Sequence, residues 1–549
     1  MQEFSVLVGG KAGDGINTTG YVIAQLLNHM GYYVFMYYDY PSLIKGGHNF
    51  TIIRAADERI GTHCENVDFI LALNAETLQI HKNRMKNDTV KIFNGDLVKS
   101  EGISVPVSTI LKSNNFPDVM KNSAIVGAFA KAAEIPWEVV KEVFILHEKK
   151  LTAENLLVAE KGYEASIISF PIQRRNDEPR SLLTGNEAVS LGLVNGGLDM
   201  YISYPMTPSS SVLHFLAENE DNFGLKVFHP ESEIAVILTA LGASYAGNKV
   251  AVGTSGGGFC LMTEGLSLSG QAEIPVVIFM AQRPGPSTGL PTYSGQTDLK
   301  FILNAGQGEF PRFIVAPGDP VEAYTWSKTA MDIAWKYQVP SFILSDKSLG
   351  ESTYSFDNPV QSEINILSSD RQPEIPYNRY SEKNDGISPM AHPPFKGEII
   401  KVNSYSHTDE GITTEDPEIV KRQVIKREIK EKMLLEEIEN LPSVNLSGDK
   451  NADTALVSWG SNKWICREIA RRHNLRAVQP VVLNPFPEKS LKNALKGVKK
   501  LILVEDSKRG QLLDLLTLSH INVDINIQKF DGRPNSIPEL EEKILKVIS

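Results

Sequence analysis

With 549 residues the chain is long enough for three or four domains of ~100–200 residues each. A hydrophobic content of 42% and a charged content of 22% exclude a largely disordered chain, and no apolar run approaches the ~20 residues that span a bilayer. A net charge of -11 argues against a nucleic-acid binder, which wants a basic face.

In chain order, Phe4 to Val8 is predicted as a strand, Gly9 to Gly15 as a tight loop and Ile16 to Met30 as a helix with one apolar side. The glycines of this unit either bring backbone N–H groups to an anion at the helix start or permit close strand–helix packing. Met1-Gln2-Glu3-Phe4 enters the strand with no basic or apolar leader, so the expected location is a reducing cytoplasm. Strands at Tyr33 to Tyr38, Asn49 to Arg54, Asp68 to Leu73 and Thr89 to Phe93, with a helix at Ser123 to Ala133, complete a mainly parallel α/β domain over 1–172. The polar stretch 173–183 is predicted as a linker.

A second domain is expected over 184–358, and Thr184 and Glu187 fit a capping box for its first helix. Short apolar runs then end abruptly in polar clusters. These are Tyr204-Pro205-Met206-Thr207-Pro208, Pro230-Glu231-Ser232-Glu233, Gly253-Thr254-Ser255-Gly256-Gly257-Gly258 and Arg283-Pro284-Gly285-Pro286-Ser287-Thr288-Gly289. Each reads as a loop leaving the carboxyl end of a parallel strand, where such loops share one ligand cleft. Pro205 and Pro208 fix the backbone on either side of Thr207, so its hydroxyl is presented without much ordering cost. Arg283 either grips a carboxylate bidentately or forms a surface ion pair. Glu231 and Glu233 either reach a cofactor or favour a helix start, while Ser255 and Gly256 either line the cleft or pack closely.

A proline-rich connector follows over 359–450, including a charged helix from Glu418 to Glu439 whose charges are expected to face solvent. Strands at Thr454 to Trp459, Ala477 to Leu483, Lys500 to Val504 and Val523 to Ile527 make a third α/β domain over 451–549. Cys64, Cys260 and Cys466 lie far apart and cannot by themselves hold an iron–sulfur cluster, which takes about four thiolates.

The Tyr204–Pro208 turn resembles the Tyr-Pro-Ile-Thr-Pro signature of the thiamine-dependent 2-oxoacid:ferredoxin oxidoreductases, with Met206 in place of Ile. The Arg283–Gly289 loop is similar to a second segment of that family. Gly10-Lys11-Ala12-Gly13-Asp14-Gly15, followed by Pro41-Ser42-Leu43-Ile44-Lys45-Gly46-Gly47-His48, resembles the family's gamma subunit, fused ahead of the alpha part. Val504 to Leu512 resembles a segment of its transketolase-carboxyl-terminal-like domain, with Ser507 in place of Asn.

The resemblance implies a gamma-type α/β domain, a parallel-sheet domain binding the thiamine pyrimidine, and a transketolase C-terminal-like α/β domain. It implies Glu233 as the carboxylate on the aminopyrimidine, Thr207 and Arg283 as substrate-binding, and Tyr204, Pro205, Pro208, Ser255 and Gly256 as cofactor-binding. Lys45 would meet anionic substrate or coenzyme A, with His48 structural. Gly13-Asp14-Gly15 imitates the start of a diphosphate and magnesium motif but lacks its Asn, so thiamine pyrophosphate would be shared with a beta subunit carrying Mg2+ and an iron–sulfur cluster. The implied reaction converts a 2-oxoacid (2-oxoglutarate or pyruvate) and coenzyme A to acyl-coenzyme A and CO2, with electrons passing to ferredoxin. A non-redox thiamine carboligase and a non-catalytic scaffold are the alternatives, and no nucleic acid, membrane or metal site of its own is expected.

Overall fold

The computed structural model describes residues 3–42, 47–113, 115–147, 150–357, 364, 366 and 372–548. The chain forms two compact units: Met1–Thr184 with Glu351–Asn358 and Asn535–Ser549, and Gly185–Gly350 with Pro359–Pro534. Both are α/β in class, as strand–helix alternation predicts.

The first unit is built on an eight-stranded sheet. Its order is Ile103–Val105, Met85–Asn94, Val67–Ala72, Glu3–Lys11, His48–Ala56, Tyr33–Asp39, Thr353–Phe356 and Ser181–Thr184. The first four strands run parallel. The remaining pairings are antiparallel, so this half of the sheet departs from the mainly parallel expectation. The cause is local. Only residues 40–47 separate Tyr33–Asp39 from His48–Ala56, too few for the dozen or so that a parallel crossover needs. The stretch expected as a linker is also integrated. Arg175 N–H donates to Met30 O (2.8 Å), Tyr32 Oη donates to Gln173 O (2.8 Å), and Ser181–Thr184 forms the edge strand.

The strand expected to end at Val8 runs on through Lys11, and in the shorter loop after it Asp14 Oδ2 accepts the backbone N–H of Lys11 (2.9 Å) and Oδ1 accepts from Lys121 Nζ (3.2 Å). That carboxylate is committed to holding its own turn. Helices Lys121–Ala132 and Thr152–Glu164 cross so closely that a Cβ on Gly127 or Gly162 would strike the other helix's backbone.

The second unit holds two sheets. The seven-stranded one runs Val482–Asn484, Phe313–Val315, Pro340–Asp346, Val276–Gln282, Val250–Thr254, Met200–Ser203 and Lys226–Phe228. All its pairings are parallel except the first. The five-stranded one runs Val444–Gly448, Arg476–Pro480, Thr454–Val457, Lys500–Glu505 and Ile525–Gln528. One continuous apolar cluster, including Ile278, Phe342, Trp459 and Leu503, joins them.

Two expectations change here. The single strand predicted at Ala477 to Leu483 is two strands in two different sheets, and Val482–Asn484 lies antiparallel to Phe313–Val315. The charged helix, observed as Pro417–Asn440, is not wholly solvated. Lys426 and Lys430 are buried and both pair with the buried carboxylate of Glu273, with Lys426 Nζ 2.7 Å away. Burying those ammonium groups is tolerated because the opposite charge is buried with them.

Candidate active site

Four neighbouring parallel strands, Val276–Gln282, Val250–Thr254, Met200–Ser203 and Lys226–Phe228, end at the same sheet edge and release the four polar clusters there. The turn after Met200–Ser203 is braced from behind. Ser209 N–H and Oγ–H both donate to Met206 O (2.8 and 2.7 Å), and Asn186 Nδ2 donates to Pro208 O (2.8 Å). Tyr204 and Pro205 are exposed, and the Tyr204 ring meets His229 edge-on with centroids 5.9 Å apart.

Arg283, 9% exposed, reaches back into this turn. Its Nη1 donates to the carbonyl of Thr207 (2.9 Å) and its Nη2 to the sulfur of Met206 (3.3 Å), while Nε is buried without a partner. The contact to Thr207 is thus through its backbone, and the guanidinium is held by the turn instead of standing free for a bidentate grip.

Helix Gly256–Ala272 starts from the end of the neighbouring strand Val250–Thr254. Ser255 occupies its N-cap, yet its hydroxyl caps nothing and is buried with no partner. A Cβ on Gly256 would lie 2.9 Å from Asp298 Oδ2, and one on Gly258 would lie 2.6 Å from Glu233 Oε1 and strike Thr254 Oγ1 as well. Both acids therefore sit directly against the first turn of this helix, which only glycine makes possible. Glu233, 6% exposed, is the first residue of helix Glu233–Tyr245, whose N-cap Ser232 accepts the N–H of Ala235 (3.4 Å). The structure thus joins Thr207 to Arg283, and Asp298 and Glu233 to the Gly256–Gly258 turn, with the Arg283 charge acting on Asp298.

Asp298 is the member that motif reading missed. It precedes helix Leu299–Asn304 at the N-cap position but makes no side-chain cap bond. Its N–H is held by Gln282 Oε1 (3.0 Å), and its Oδ2 is buried and unpartnered. Burial pushes its carboxyl up to about 6, against the pull of Thr297 and of the Arg283 charge. Burial likewise lowers Arg283 from its ordinary value, with Asp298 opposing.

Residues 192–426 match the family described as "Pyruvate flavodoxin/ferredoxin oxidoreductase, thiamine diP-bdg", and residues 5–165 match "Pyruvate ferredoxin/flavodoxin oxidoreductase". The 2-oxoacid:ferredoxin oxidoreductase subunit alpha of Sulfolobus sp is 30% identical, over 100% of this chain and 97% of that one. The chain belongs to the 2-oxoacid:ferredoxin oxidoreductase family. Similar to this oxidoreductase subunit, at 29% identity over 60% of this chain and 89% of that one, is the 2-oxoglutarate synthase subunit KorA of Archaeoglobus fulgidus. Among solved structures, the 2-oxoglutarate:ferredoxin oxidoreductase of Magnetococcus marinus, with 2-oxoglutarate, coenzyme A and succinyl-CoA bound, aligns with a TM-score of 0.91 at 28% identity and covers 100% of both chains.

In this oxidoreductase subunit Lys45 lies outside the described residues. His48 is described, and its Nε2 lies 2.8 Å from His81 Nε2 within the first unit. No helix among the described residues is long and apolar enough to cross a membrane.

Proposed function

We propose that this chain is the gamma-alpha subunit of an enzyme that oxidatively decarboxylates a 2-oxoacid, 2-oxoglutarate or pyruvate. The overall change is 2-oxoacid + coenzyme A + two oxidised ferredoxins to acyl-coenzyme A + CO2 + two reduced ferredoxins + H+. The domain assignment that goes with it is 1–172 gamma-type, 184–358 pyrimidine-binding, 359–450 connector and 451–549 transketolase C-terminal-like, while 173–183, expected as a linker, is bonded into the first unit through Arg175, Gln173 and the Ser181–Thr184 strand.

The observation that carries the reading is a set of unsatisfied polar atoms around one helix start. Ser255 Oγ, Arg283 Nε and Asp298 Oδ2 are all buried without partners. Buried polar atoms are otherwise almost always paired, so three together fit a ligand-binding cleft. The set also fits the pyrimidine end of thiamine diphosphate. Glu233 offers a carboxylate, Ser255 a hydroxyl, and the Gly256–Gly257 turn a surface with no side chain in the way.

Thiamine diphosphate, when bound, supplies the carbon nucleophile and the electron sink. The protein's part is placement and charge. Glu233 holds a proton at a ring nitrogen through its carboxylate. Arg283 orients the 2-oxoacid carboxylate with the N–H groups the turn leaves free, and Thr207 supplies its hydroxyl. Tyr204, Pro205 and Pro208 shape the rim.

Three scattered cysteines leave this sequence without the thiolates for a cluster, so electrons have to leave through a partner. Exposed Tyr204, Phe228, Ile234, Leu238 and Leu261 lie on the segments that carry the site and suit a beta subunit as their cover.

The deciding experiment is a dye-reduction assay of the chain assembled with its partner. We expect reduction that requires both a 2-oxoacid and coenzyme A. Carboligation without reduction would favour the non-redox alternative, and assembly without turnover would favour a scaffold.

A further inference from the structure

Asp298 is an anomaly of placement. An Asp at an N-cap ordinarily accepts the N–H groups of its own helix. Here no side-chain cap bond forms, and the carboxyl turns instead toward Gly256, at the start of the neighbouring helix. Gln282 fixes it there. Its Oε1 accepts the Asp298 backbone N–H (3.0 Å), and its Nε2 donates to Ser345 O (3.2 Å). Gln282 is also the residue before Arg283, so the glutamine that holds Asp298 ends the strand that delivers the cation.

The charges around Asp298 are few. Arg283 acts on it from the adjoining loop. The helix start at Gly256–Gly258 brings no side chain, and Glu233 stands across Gly258. On its own helix, Lys300 is already paired with Asp514. With Asp298 ionised, its negative charge opposes that of Arg283, and an incoming carboxylate meets a cation already offset. With Asp298 neutral, the Arg283 charge is unopposed and attracts the substrate.

We propose that Asp298 is a positioning residue that leaves the Arg283 charge unopposed for the substrate by taking a proton from solvent as the 2-oxoacid carboxylate binds. This rests on the reading of Arg283 as the carboxylate's partner. Burial already holds the Asp298 carboxyl up to about 6, and a bound anion beside it raises that further. The sign follows: substrate binding is tight where Asp298 is neutral and weakens as pH rises and Asp298 ionises.

The test uses the assembled enzyme. KM for the 2-oxoacid should rise with pH above about 6, approaching tenfold per pH unit, the limit for one linked proton. In Asp298→Asn that dependence should be lost. A substituted enzyme whose KM keeps the parent's rise overturns the inference, while turnover of the unsubstituted enzyme continues to support the function. Should Asp298→Asn fail to assemble, calorimetry on the unsubstituted enzyme decides. A 2-hydroxy acid, which has the carboxylate but not the keto carbon, is titrated in buffers of different ionisation enthalpy. Uptake of a fraction of a proton at neutral pH supports the inference, and no uptake overturns it.

Discussion

Arg283 is anchored through Thr207 O and Met206 Sδ, which fixes its plane before any substrate arrives. Truncating a partly buried guanidinium that pairs with a carboxylate costs about 2–5 kcal/mol, so Arg283→Ala should lower kcat/KM by roughly 30-fold to more than 1000-fold. The complex should still assemble, as gel filtration would show. Gly258→Ala tests the other side of the cleft. Its Cβ would press on Glu233 Oε1 and Thr254 Oγ1, and a displacement on the order of 1 Å at a positioned group costs about 100-fold in rate. Steady-state kinetics beside a thermal melt separates that loss from unfolding. Thr207, Glu233 and Arg283 could be singled out in the sequence because each follows an apolar run and sits among prolines, glycines and serines. Asp298 could not, since an acid ahead of Leu299-Lys300-Phe301-Ile302 reads as an ordinary helix cap. Only its failure to cap, a fact of three-dimensional structure, marks it out.

Among the elements, strands with strong β-branched runs were legible to within a few residues, because they are buried on both faces and read as unbroken apolar segments. Elements whose character depends on a distant partner were not. Helix Pro417–Asn440 carries lysines at 426 and 430, four residues apart and so on one face. Nothing local shows that this face is buried, because the charge that meets it, Glu273, lies 153 residues before Lys426. Burial alone would raise the Glu273 carboxyl, but Lys426 and Lys430 outweigh it and hold the group well below the usual carboxylate range. Arg379 Nη2 also donates to its backbone carbonyl (2.6 Å). Glu273→Ala would strand two buried ammonium groups, at a cost of about 3–5 kcal/mol. Chemical denaturation should show this as a lower midpoint. The sign with pH also follows: a depressed carboxyl stabilises the fold above its unfolded value of about 4 and loses that contribution as pH falls. The split of Arg476–Pro480 from Val482–Asn484 was hidden for a similar reason, since both halves are equally apolar and only their partners in two sheets distinguish them.

Across the chain as a whole, alternation of strand and helix revealed the α/β class, but not that Glu351–Asn358 and Asn535–Ser549 return to the first unit. Such returns are set by contacts between segments far apart in sequence, which leave no periodic trace. Within the second unit, two sheets share an interior that also contains acids. Asp346 accepts from Ser461 Oγ (2.6 Å), Ser294 Oγ (3.3 Å) and the N–H of Leu349 (3.0 Å). Asp506 comes from the other sheet, its N–H held by Gln296 Oε1 (3.1 Å). Burial, reinforced by Asp346, pushes the Asp506 carboxyl up to about 7, with Asn462 and Lys529 opposing. An acid held above its unfolded value binds its proton more tightly in the native state. Its contribution to stability is therefore fully present below about pH 4 and is lost as pH rises towards about 7, at up to ~1.4 kcal/mol per pH unit. Asp506→Asn keeps the shape and removes the proton equilibrium, so its melting temperature should fall less between about pH 5 and 7 than that of the unsubstituted protein. Parallel curves would mean that the proton is held elsewhere. Gln296 bonds to Asp506, to Asn462 and to the Trp459 carbonyl, and it stands two residues before Asp298. The two acids are nonetheless distinct in what they report. Asp506→Asn should flatten the pH dependence of the melt while KM for the 2-oxoacid still rises with pH through Asp298, which separates the two protons by experiment.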